Sequence, residues 1–110
     1  MKTKVTTNKQ AIKITKRLEA QLIEATDCFN EEYVIKTDNC GTFLSTTFHS
    51  GTNWIMSRVV VERIIKIADR FCKRYEGMFW GFECGEYTST TTGNKYPTPQ
   101  LYIQLSLNKV

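Results

Sequence analysis

The chain is poor in the residues on which chemistry usually rests. It has one histidine, His49, in 110 residues, so no pair of imidazoles can share a proton or a metal. None of its four cysteines stands in a close C-x-x-C type pair, the spacing that lets one tight turn present two thiolates to zinc. Cys28 and Cys40 are twelve apart, as are Cys72 and Cys84. A glycine-rich run ending in lysine is missing, which excludes a P-loop. No apolar run approaches the roughly 18 residues of a membrane helix, and the start, MKTKVTTNKQ, lacks the apolar stretch of a secretory signal. These absences lead us to expect a cytoplasmic protein with no membrane contact, reduced thiols, no metal, no cofactor and no catalytic activity.

Weaker arrangements do not change that expectation. Cys40 and His49 would make a nucleophile and its base only if held within hydrogen-bond reach, and a regular hairpin separates them by about 20 Å. His49-Ser50-Gly51-Thr52-Asn53 could open a helix toward a phosphate, but a turn followed by an N-cap accounts for it. The acidic pairs Glu31/Glu32 and Glu83/Glu86 have no neighbour that would divide them into acid and base. Buried free cysteine behaves as a small hydrophobe. Cys28 and Cys72 beside helix stripes, and Cys84 in an inward strand register, are therefore expected inside.

What is present describes one folded domain over residues 1–110. The hydrophobic fraction is 41% in a 12.7 kDa chain, enough for one core and too little for two. Thr7-Asn8-Lys9-Gln10 fits a capping box, and Ile14, Leu18, Leu22, Ala25 and Phe29 recur at helical spacing behind it. A second helix is expected from Thr52 or Asn53 to about Arg74, burying Met56, Val60, Ile64, Ile67 and Phe71. Glu62/Lys66 and Asp69/Lys73 support its outer face. Between the helices, YVIKTD and TFLSTTF flank the turn Asn39-Cys40-Gly41. After them, GMFWGFECGEY and LYIQLSL read as strands, joined by TSTTTGNKYPTP as an exposed, mobile loop over residues 88–99.

The fold class that follows is α+β, with an antiparallel sheet of four or five strands and both helices on one face. The element order is αββαββ. If residues 2–6 add a strand, it becomes the ferredoxin-like βαββαβ with a final strand. The near-echo of DNCGTFLSTTF in FECGEYTSTTT, 44 residues on, would place Cys40 and Cys84 at equivalent points of two αββ units.

Two features point toward function. Lys2, Lys4, Lys9, Lys13, Lys16 and Arg17 all precede the first acid, Glu19, so that segment carries +6 and the rest of the chain −2 against a whole-chain +4. Lys9, Lys13, Lys16 and Arg17 share one helix face, at the end where the helix dipole favours anions. The other feature is strand register. With Met78, Trp80 and Phe82 inward, Phe79 faces out, as do Tyr102 and Gln104, with Phe43 and Lys36 on the first hairpin. The expected function is a small interaction protein that binds and modulates or inhibits a protein or nucleoprotein partner, through the sheet face, the Thr-rich loop or the basic helix. The alternative is a nucleic-acid binder, with Lys9, Lys13, Lys16 and Arg17 on phosphates and Phe43, Phe79 or Tyr102 stacking bases. A homodimer paired across the sheet fits either.

Overall fold

The computed structural model describes residues 2–27, 32–51 and 56–107. Its elements are α1 (Asn8–Thr26), β1 (Tyr33–Asn39), β2 (Phe43–Ser50), α2 (Arg58–Arg74), β3 (Met78–Thr88) and β4 (Lys95–Ser106). The four strands form one antiparallel sheet in the order β1-β2-β4-β3.

α1 begins where the capping box places it. Thr7 accepts the Gln10 N–H, and the Gln10 side chain accepts the Thr7 N–H. Its buried face is Ala11, Ile14, Thr15, Leu18, Leu22 and Thr26. The two threonines are tolerated inside because their hydroxyls donate to carbonyls one turn back, Thr15 to Ala11 at 2.9 Å and Thr26 to Leu22 at 3.0 Å. Phe29 and Cys28 lie outside the described residues.

α2 starts later than its polar lead-in suggests. Thr52 and Asn53 lie outside the described residues, but Met56 and Ser57 precede the helix, and Ser57 is the N-cap, accepting the Val60 N–H at 3.3 Å. On its outer face Glu62 pairs with Arg58 at 3.0 Å rather than with Lys66, and Asp69 pairs with Lys73 at 2.8 Å. Lys73 holds the Asp69 carboxyl below its ordinary range, helped by a hydrogen bond from Trp80.

Both helices cover one face of the sheet. Leu44 and Phe48 of β2 and Leu101, Ile103 and Leu105 of β4 meet Leu18, Leu22, Val60, Ile64 and Phe71 in one core. Each such side chain taken fully from water contributes about 1.5–3 kcal/mol. Phe48 is 1% exposed and stacks on Tyr33 with ring centroids 5.1 Å apart.

The fifth strand does not form. The N-terminal segment makes one isolated parallel bridge, Thr3 to Tyr75, with Thr3 N–H on the Arg74 carbonyl and Glu76 N–H on the Thr3 carbonyl. The ferredoxin-like order is therefore not built, and the sheet has four strands. The echoed cysteines are not equivalent either. Cys40 lies in the β1–β2 turn beside Gly41 (φ 88°), whereas Cys84 sits within β3.

Candidate interaction surface

Strand pairing fixes where each backbone group points. Pairing of β2 with β4 stops at Phe48 and Leu101, while β3 and β4 stay paired for six residues further, from Glu83/Gln100 to Thr88/Lys95. At about 3.3 Å per residue this makes an arm about 20 Å long, reaching past β2. The expected loop over residues 88–99 is thus mostly strand. Only residues 89–94 turn, tied by Ser89 N–H to the Asn94 carbonyl at 2.9 Å and by Gly93 N–H to the Ser89 carbonyl at 2.9 Å. Gly93, at φ 74°, supplies the left-handed step.

The outer face of the sheet carries the aromatics that register assigns to it. Phe79 is 50% exposed, and Tyr102 and Phe43 are half-buried on the same face. Lys36 is there too, 3.7 Å from Asp38. Farther along the arm Tyr87 faces Tyr96 across the ladder, and neither was among the expected contact residues. Between Tyr102 and that pair lies an open hollow of about 290 Å³ lined by Glu83, Cys84, Gly85, Thr98 and Gln100. The Gln100 amide donates to the Glu83 carboxylate at 3.2 Å. Among the described residues the exposed large hydrophobic side chains are Ile12, Ile23, Val34, Val59, Phe79, Phe82, Tyr87 and Tyr96. All of the aromatics among them belong to the β3–β4 hairpin.

Phe82 and Cys84 point to the helix side of the sheet, yet Phe82 is 41% exposed and Cys84 is exposed, because the arm has run out from under the helices. The expected burial is corrected here for Cys84, and the turn residue Cys40 is exposed as well. Cys72 alone of the described cysteines is inside, where burial, with the Asp69 charge, pushes its thiol up to about 11. His49 and Cys40 stand at opposite ends of the β1–β2 hairpin, and His49 Nδ1 lies 2.9 Å from the Ser50 carbonyl. Among the described residues no three His, Cys, Asp or Glu side chains are placed to hold a metal, and no helix is long and apolar enough to cross a membrane.

The basic residues occupy the opposite side of the molecule. Lys9, Lys13, Lys16 and Arg17 are exposed on α1, above the helix layer, and none makes an ion pair among the described residues. Arg17 donates to the Tyr75 hydroxyl at 3.0 Å. With Lys4 and Lys13 it lines a hollow of about 200 Å³. The two sets of expected contact residues therefore form two surfaces on opposite sides of the domain. No known protein family, curated protein or solved structure matches this chain.

Proposed function

We propose that this is a non-catalytic interaction protein that binds a protein or nucleoprotein partner, and modulates or blocks it, through the outer face of the β3–β4 hairpin. The observation that carries this reading is that, among the described residues, the exposed aromatics are confined to that hairpin. Aromatic side chains offer large contact area at low entropic cost and dominate interface energetics. The hollow between Tyr102 and the Tyr87/Tyr96 pair has the Glu83 carboxylate at its side, which suits a basic side chain from the partner.

The unpaired cations of α1 support a second reading, in which that face alone binds a polyanion. Salt separates the two. Retention on an oligonucleotide through six or more phosphates should fall roughly a thousandfold between about 50 and 200 mM salt. An aromatic interface is screened far less.

The experiment is affinity capture with the full chain, with and without nuclease and high salt, followed by purification of the captured partner and measurement of its Kd. A complex that survives both treatments and is lost on Phe79→Ala with Tyr102→Ala supports the proposal. A complex lost to nuclease and to Glu at positions 9, 13, 16 and 17 transfers the function to α1.

A further inference from the structure

The two edges of the β3–β4 arm differ in a way that names an occupant for one of them. Ser106 N–H bonds the Gly77 carbonyl and Ser89 N–H bonds the Asn94 carbonyl. The register between them is unbroken, so the odd-numbered residues of β3 direct their N–H and C=O groups to β4. Those of Met78, Trp80, Phe82, Cys84 and Glu86 point to the free edge. On β4 the alternation is complementary, and beyond Leu101 the residues aimed at the opposite free edge are Pro99, Pro97 and Lys95. Proline has no N–H to offer, and lysine resists edge pairing, so that edge is closed to another strand. The β3 edge has neither proline nor lysine, runs for eleven residues, and meets no strand among the described residues.

We infer that β3 pairs antiparallel with β3 of a second copy about a two-fold axis at Phe82, joining two sheets into one of eight strands with all helices on one side. This pairing is independent of the outer-face reading above. In this register every facing pair of edge residues exchanges both backbone bonds: Phe82 with its own copy, Trp80 with Cys84, and Met78 with Glu86 of the second copy. The exposed Phe82 rings come together on the axis. On the outer face Phe79 lies across from Gly85 and Glu83 across from Gly81, so aromatics cover glycines and no acid faces an acid. Glu86 is carried toward the basic last turn of the second copy's α2, where Arg74 has no ion-pair partner among the described residues.

Neighbouring registers are worse. An axis at Glu83 sets two carboxylates face to face. An axis at Gly81 sets glycine on glycine and brings Glu86 opposite Glu76. Self-complementarity of this kind is what an isologous interface requires.

Sedimentation velocity of the full chain tests the pairing, with a two-chain mass expected. Cys84→Pro deletes one edge N–H and no β3–β4 bond, and should sediment as one chain with its circular dichroism retained. Because proline can also disturb the arm, a second variant reads the contact directly. Phe82→Cys, with the native cysteines replaced by Ser or, at Cys72, Ala, should become disulfide-linked on mild oxidation. The facing Cα atoms of such a pair lie about 5.5 Å apart, within disulfide range. Lys95→Cys in the same background, on the proline edge, should stay unlinked. A wild-type protein that sediments as one chain over a wide concentration range overturns the inference. So does a dimer that survives Cys84→Pro and that Phe82→Cys does not link.

Discussion

Tyr102 lies flat across Gly81, its facing residue on β3, with the phenol oxygen 2.6 Å from where a Cβ at position 81 would stand. The glycine leaves the space the ring fills, and the ring covers the backbone the glycine leaves bare, a cross-strand arrangement known to support glycine in sheets. Gly81→Ala should swing the tip of a side chain rather than shift a strand. The expected result is displaced Tyr102 ring resonances by NMR, the remaining amide spectrum retained, and a stability loss of no more than about 1 kcal/mol by urea unfolding.

Thr37 and Thr46 share one hydrogen bond, with hydroxyls 2.9 Å apart, and Thr46 is 2% exposed. Thr37→Val strands the buried hydroxyl of Thr46 and should cost about 1–3 kcal/mol in urea unfolding. Thr37→Val with Thr46→Val removes both partners and should recover most of that loss. A double variant as unstable as the sum of the singles would contradict this assignment.

The thiols should divide by position. Cys40 and Cys84 are exposed and should be modified in the native protein, whereas Cys72 should react only on unfolding, as peptide mapping would show. Its thiol is raised from 9.0 to about 11 in the folded chain. The folded state therefore holds that proton more tightly than the unfolded chain. The resulting stability is complete below pH 9.0 and is lost as the pH rises toward 11. Urea midpoints across that window should fall less steeply for Cys72→Ala than for the wild type.

Pro97 and Pro99 should act as stops. Replacing both by Thr restores edge N–H groups on β4 and opens the second side of the arm. Such a variant should associate beyond a dimer, giving a broad, concentration-dependent mass distribution by light scattering where the parent gives one species.

Those prolines also explain where reading the chain by eye falls short. In TSTTTGNKYPTP two prolines signal a loop, but their spacing of two keeps both on the same edge of a strand, the edge with no neighbour to lose a bond to. The start of α1 was legible because Thr7 and Gln10 satisfy backbone donors within four residues. The start of α2 was not. Residues 49–53 are rich in capping side chains, and only the tertiary position of Ser57 decides which one serves. Strand parity gave the facing of Phe79, Phe82, Cys84 and Tyr102 correctly. Burial did not follow from facing, because it depends on whether a helix lies above the strand, and none reaches over Cys84. The likeness of DNCG to FECG was compositional, since turn and strand both accept those residues.

The open edge of β3 is most directly examined by residue-resolved amide hydrogen exchange. Amides of Phe79, Gly81, Glu83 and Gly85 bond to β4 and should be protected in every form of the protein. Amides of Trp80, Phe82 and Glu86 should be protected at high protein concentration in the wild type and exchange freely in Cys84→Pro. Free exchange at Trp80 and Phe82 in concentrated wild-type protein, beside protected Phe79 and Gly81, would mean that the edge stands empty and that no second copy occupies it.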